Sequence, residues 1–107
     1  MTECSIVHND NLDTLGQIQD GTFDLVYMDP PFNTGKTQKI HGKSYVDSRA
    51  GFLAWFEIRL REVIRTIKPY GSLFVHLDWR EVHYVKVMLD GILGRENFQN
   101  EIIWAYD

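Results

Sequence analysis

The sequence predicts an α/β domain built on a mostly parallel sheet with flanking helices. Short apolar runs of strand character at 4–8, 23–28, 72–77 and 99–106 alternate with stretches of helical period at 11–18, 51–67 and 79–93. Strands that alternate with helices form βαβ units with right-handed crossovers. The run at 23–28 then drives into Asp29-Pro30-Pro31-Phe32. Neither proline has a backbone N–H, and both hold φ at about −65°, so a sheet ladder must stop there. Asp29 is thereby presented at the carboxyl end of a strand, where open α/β sheets bind their ligands.

Each element has its own signal. Residues 4–8 (Cys-Ser-Ile-Val-His) read as a short strand, and any of Asn9, Asp10 and Asn11 could cap the helix behind it. Leu12, Leu15, Gly16 and Ile18 give that helix one apolar side, and Asp20-Gly21 stops it. In the second strand Val26 and Tyr27 suit a buried position. Residues 33–50 hold no sustained period and are rich in Gly, Lys, Thr and Ser, so a mobile loop is expected there. Loops beyond about 12–15 residues in a compact domain are usually lids or binding loops. From 51 to 67, Leu53, Phe56, Leu60, Val63, Ile64 and Ile67 fall on one helical stripe, with Glu57 and Arg61 paired on the wet side. Pro69 ends that helix and Gly71 opens the third strand. Asp78 with Glu81 has capping-box spacing ahead of a helix at 79–93, which buries Val82, Val85, Leu89 and Ile92 and stops at Gly94. The stretch 99–106 reads as a final strand.

Length and composition bound the function. The 107 residues, 44% hydrophobic, suit one small globular domain over 1–107. No apolar run reaches the roughly 20 residues of a membrane span, and the N-terminus has no secretory pattern. The single cysteine, Cys4, cannot form an internal disulfide, which fits a reducing cytoplasm. We expect it as a small buried hydrophobe beside the first strand. A net charge of −4 argues against nucleic-acid binding by bulk charge. Locally the balance reverses, with Lys36, Lys39, Lys43 and Arg49 against Asp47 alone. A solvated loop would look the same, yet its place straight after the motif suits a phosphate-contacting loop. His8, His41, His76 and His83 are scattered without metal-ligand spacing, so no metal is assigned. His76, flanked by Phe74 and Val75, reads as a satisfied core histidine.

Asp29-Pro30-Pro31-Phe32 resembles the catalytic motif of DNA methyltransferases that modify exocyclic amines, most nearly the beta class. The likeness extends to His8-Asn9-Asp10-Asn11-Leu12 upstream, and to Gly94-Arg95-Glu96-Asn97-Phe98 and Asn100-Glu101-Ile102-Ile103-Trp104 downstream. The resemblance implies a partial Rossmann-like, S-adenosylmethionine-dependent fold and site-specific methylation of adenine N6 in double-stranded DNA, of the restriction-modification kind. Cytosine N4 is the alternative target. A non-catalytic nucleic-acid-binding remnant of the same fold is the rival from another class. Family members continue into a target-recognition region and a Gly-bearing cofactor motif, and neither occurs in these residues. The chain is therefore expected to be an N-terminal catalytic half, inactive alone, with a homodimer or a complementary chain as candidate partners.

The resemblance also assigns roles. Asp29 and the carbonyl of Pro30 would accept the two N–H bonds of the target amine, Pro31 would stiffen the turn, and Phe32 would stack on an extruded base. Asp10 and Asp29 would face the cofactor, and Tyr106, with Phe32, would wall the base pocket. Two plainer roles stand beside these: Asp10 as a helix cap, and Trp104 as core packing.

Overall fold

The computed structural model describes the backbone of residues 3–40, 43–47 and 51–106, and the side chains of 3–35 and 51–106. In chain order the elements are α1 (Asn11–Leu15), β1 (Phe23–Met28), β2 (Lys36–Ile40), β3 (Lys43–Asp47), α2 (Phe52–Thr66), β4 (Ile67–Val75) and α3 (Val82–Leu93), with a 3-10 turn at Arg95–Asn97.

The core forms along one face of α2. Phe52, Phe56, Leu60 and Val63 are buried on it, and Leu15, Met28 and Val85 close the cluster. Each such side chain contributes roughly 1.5–3 kcal/mol through removal from water. The helical stripe read from the sequence is therefore the organising face. The expected Glu57–Arg61 pair is also present, Arg61 Nε donating to Glu57 Oε2 over 2.9 Å.

β1 and β4 pair in parallel, with Val26 opposite Leu73, Tyr27 opposite Phe74 and Met28 opposite Val75. The ladder runs one rung further, because the backbone N–H of His76 donates to the carbonyl of Met28 over 2.8 Å. Only one face of this pair is covered. Met28 is buried and Val26 half-buried against the core, whereas Leu25, Tyr27 and Phe74 are exposed. Tyr27 thus corrects the expectation of a strand buried on both sides.

The expected break between helix and third strand is a register shift instead. β4 starts directly at Ile67, and pairing jumps from Phe23–Ile67 to Leu25–Ser72. Lys68, Pro69, Tyr70 and Gly71 bulge between those rungs, as they must where Pro69 has no N–H for the ladder. A Cβ on Gly71 would meet the Ile67 side chain and lie 2.9 Å from the carbonyl oxygen of Asp24.

α1, only five residues long, cannot stand alone. Arg65 of α2 fastens its far end, donating to the carbonyls of Leu15 and Ile18, both over 2.8 Å, and to Asp20 Oδ1 over 2.7 Å. In return the N–H groups of Gly21 and Thr22 donate to the carbonyls of Arg65 and Thr66 at the end of α2. Hydrogen bonds to Glu62 and Asp20 hold the Arg65 guanidinium above its already high ordinary pKa.

Other expectations are corrected. Residues 4–8 and 99–106 form no strand among the described residues, and both are exposed. Strand composition makes a strand only where a neighbour accepts the ladder, and the parallel sheet of the described residues has two members. Cys4 is accordingly exposed, and so is Trp104. Residues 33–50 include an antiparallel hairpin, β2 with β3, in register from Lys36–Asp47 to Ile40–Lys43. The third helix starts at Val82, because Asp78 accepts from its own near neighbour, the N–H of Arg80, rather than capping with Glu81. Gly94 ends it as expected, at φ 92°.

Two glycine substitutions separate these constraints. Gly91→Ala, in open space on α3, should stabilise by about 0.5–1 kcal/mol. Gly71→Ala should destabilise by more than about 1 kcal/mol, because backbone must move. Urea unfolding of both variants checks the opposite signs.

Candidate active site at the carboxyl end of the sheet

β1 delivers Asp29 to the rim of a cleft of about 610 Å³ between its carboxyl end, α1 and α2. Asp10, Asn11, Trp55 and Arg59 line the same cleft, together with Pro30 and Pro31. The volume lies within the range of small-molecule sites. Two of the expected cofactor-facing residues, Asp10 and Asp29, are therefore brought to one cavity.

Asp10 proves to be a helix cap as well as a cleft residue. Its Oδ1 accepts from the N–H of Leu12 over 2.9 Å. Arg59 Nη2 donates to both carboxylate oxygens over 3.1 Å. The Arg59 guanidinium also donates to Asn11 Oδ1 over 3.0 Å and lies 4.3 Å from the Trp55 ring centre. Arg59 is itself buried, on the same stripe as Phe56, Leu60 and Val63. A charge at that helical position needs a partner, which is the signal that could have singled it out from the sequence.

Asp29 is exposed, and its Oδ1 lies 3.7 Å from His76 Nδ1. The same imidazole nitrogen is 2.7 Å from the Tyr27 hydroxyl. Phe32 is half-buried, its ring tilted 43° against His76 at 5.3 Å. His76 is thus no core histidine. It sits at the end of the sheet beside three residues of the 27–32 segment, because the strand expected over 72–77 ends at Val75 and the His76 N–H makes the last rung. Just beyond Phe32, Asn33 adopts a left-handed backbone, φ 61°, and donates from Nδ2 to Glu81 Oε1 over 3.1 Å. This bond ties the motif's turn to the start of α3. Neither His76, Asn33 nor Glu81 was singled out for the site by sequence.

Tyr106 lies exposed in the C-terminal stretch and is not among the cleft residues. The backbones of Lys36, Lys39 and Lys43 belong to the β2–β3 hairpin, while their side chains and Arg49 lie outside the described residues. Among the described residues, no group of three His, Cys, Asp or Glu could hold a metal ion.

A family model described as DNA methylase, of the N6/N4 type, matches residues 23–107, from the start of β1 through the whole motif. The chain belongs to the N6/N4 DNA methylase family. It is similar to the type II methyltransferase M.BamHI of Bacillus amyloliquefaciens, 35% identical over 66% of this chain and 16% of that protein. The type III restriction-modification enzyme StyLTI Mod subunit of Salmonella typhimurium is 27% identical over 89% of the chain and 19% of its own length. The DNA adenine methyltransferase YhdJ of Escherichia coli is 25% identical over 96% of the chain and 33% of its own length. The chain therefore spans a third or less of each of these relatives. Asp10 precedes the segment that the N6/N4 methylase model matches, so its place in the cleft rests on the geometry alone.

Arg59→Met keeps most of the side-chain volume but removes the guanidinium that donates to Asp10 and Asn11. It should cost about 2 kcal/mol, less than a fully buried pair because Asp10 is half exposed. Denaturant unfolding measures the loss.

Proposed function

We propose that this chain is the N-terminal catalytic half of a site-specific DNA methyltransferase acting on the exocyclic N6 of adenine. The observation that carries the proposal is Asp29, held at the cleft rim by a proline pair and, among the described residues, approached by an ion-pair partner no closer than His76 at 3.7 Å. The name of the relative YhdJ supports adenine over cytosine N4.

The chemistry follows from the amine. The N6 lone pair is delocalised into the purine ring, so the nitrogen is a poor nucleophile. Asp29 accepts one N–H in a charge-assisted hydrogen bond, and the Pro30 carbonyl accepts the other. Two acceptors aimed at the two N–H bonds draw the nitrogen toward a tetrahedral shape and localise its lone pair. Phe32, braced by His76, offers a stacking face worth about 1–3 kcal/mol to a base extruded from the duplex. The rigidity of Pro30 and Pro31 matters because the acceptors must be in place before the base arrives.

The cleft suits S-adenosylmethionine as the methyl donor. Its carboxylates, Asp10 and Asp29, match a cationic ligand rich in N–H and O–H donors, and its floor of Val26, Met28 and Phe56 is apolar. When bound, this group supplies an electrophilic methyl on a sulfonium. The protein's residues supply position, acceptors and exclusion of water. The Rossmann-like character of the complete sheet, the DNA-contacting role of Lys36, Lys39, Lys43 and Arg49, and a cytoplasmic location belong to the same reading. No helix among the described residues is long and apolar enough to cross a membrane.

Methyl transfer from labelled S-adenosylmethionine to duplex DNA tests the reading, using the longest natural form that carries this sequence. Asp29→Ala should lower transfer on the order of a hundredfold or more while cofactor binding persists. Unchanged transfer would sink the assignment. For the 107-residue chain alone, isothermal titration with S-adenosylmethionine should show no micromolar binding, because on this reading these residues form only part of the site.

A further inference from the structure

We propose that His76 is a positioning residue for Asp29, kept in the tautomer that cannot engage the carboxylate by a hydrogen bond donated from the Tyr27 hydroxyl. The proposal deepens the functional reading above and rests on it for its catalytic consequence.

Three distances carry it. The Tyr27 oxygen is 2.7 Å from His76 Nδ1. Asp29 Oδ1 is 3.7 Å from that same nitrogen. The Phe32 ring centre is 5.3 Å from the imidazole. The ladder bond from the His76 N–H to the Met28 carbonyl fixes the backbone from which this ring projects. One side chain thus stands among the phenol, the carboxylate and the stacking ring.

The geometry also indicates where the protons lie. A neutral imidazole has one bare nitrogen and one N–H. With Nδ1 bare, the Tyr27 hydroxyl donates to it, and 2.7 Å is a good length for that bond. Asp29 then has no proton to accept from this ring, so it stands off at 3.7 Å. With Nδ1 protonated, an anionic acceptor next door would attract the N–H, and a charge-assisted bond would draw the pair to about 2.7–2.9 Å. The phenol therefore reserves the carboxylate for a ligand's N–H. Among the described residues, the titratable groups facing His76 are Tyr27 and Asp29. Along the chain, Asp78 and Arg80 pair with each other, and Glu81 accepts from Asn33.

Protonation of His76 would undo the arrangement. The imidazolium has no acceptor nitrogen for Tyr27 and gains an N–H that faces Asp29. The carboxylate would then be occupied by the protein and not by the amine. The Asp10 side of the cleft would keep its geometry, since Asp10 is held separately by Arg59.

Nitrogen-15 NMR of the histidine rings in the chain tests the proton placement without reference to activity. His76→Asn identifies the signal by its loss. The wild-type His76 Nδ1 should resonate as an unprotonated imidazole nitrogen, and Tyr27→Phe should shift it toward the protonated position. A protonated Nδ1 in the wild type, or a tautomer indifferent to Tyr27→Phe, overturns the proposal.

Methyl-transfer kinetics in the longer natural form test the consequence. His76→Asn places an amide oxygen near the Nδ1 position, where it can accept from the Tyr27 hydroxyl, so it should keep transfer within about threefold. His76→Phe keeps a ring beneath Phe32 but offers Tyr27 no acceptor. Its kcat should fall about tenfold, with KM for the cofactor unchanged, as expected for one lost hydrogen bond. Equal activity of the two variants would reduce His76 to packing and end the proposal. Absence of transfer in the wild type would count against the functional reading, while the nitrogen spectra would still decide the tautomer.

Discussion

The parallel pairing of β1 with β4 is the constraint from which the site follows. Parallel strands end on the same side of a sheet, so the turn after Met28 and the turn after Val75 must lie next to each other. The ladder's last rung, His76 to Met28, sets how closely they meet. Asp29 is the residue straight after that rung on one strand, and His76 is the rung itself on the other. Shift the register by one residue and every side chain changes face. Tyr27, Asp29 and His76 would then turn into the core, where a carboxylate without a partner costs far more than this small domain can offset. The register is held at its other end by the bulge at Lys68–Gly71, which lets a proline sit inside a strand without breaking the rungs that matter.

The second wall of the cleft depends on two arginines of one helix. Arg59 takes the start of α1 through Asp10 and Asn11, and Arg65 takes its end through the carbonyls of Leu15 and Ile18. α1 is too short to be helical by propensity, so its position is dictated by these donors. A lysine at either place could not replace them, because a single ammonium cannot span the separate acceptors that a planar guanidinium reaches. α2 thus does two jobs: its apolar stripe makes the core, and its two arginines aim α1 and therefore Asp10.

What was legible in the sequence was whatever depends on local pattern. α2 has a sustained apolar stripe, Gly94 is a helix stop, and Asp29-Pro30-Pro31-Phe32 interrupts a strand in a way that few other arrangements require. What was illegible depends on neighbours. Residues 4–8 and 99–106 carry strand composition, yet strand pairing is a property of two segments, and neither finds a partner among the described residues. Trp104, taken for core by its size, lies exposed for the same reason. The hairpin β2–β3 was hidden because Lys, Thr, Gln and Ser have no apolar alternation to announce it. His76 was misread as core because its apolar neighbours Phe74 and Val75 suggested burial. In fact Phe74 faces out on the same side as His76, since the sheet is covered on one face only.

The charge balance of the cleft gives the geometry its chemical direction. Asp10 and Asp29 are its two carboxylates, and their surroundings differ. The negative charge of Asp10 is matched by a buried guanidinium at 3.1 Å. Among the described residues, the group at ion-pair distance from Asp29 is an imidazole nitrogen, and that nitrogen is turned toward a phenol. Among the described residues, Asp29 is therefore the less closely matched of the two carboxylates, and it is the one that the proline pair follows. A site of that kind favours cations and N–H donors over phosphate. The charges are also divided along the chain: Lys36, Lys39 and Lys43 belong to β2 and β3, while the strand end carries the acceptor.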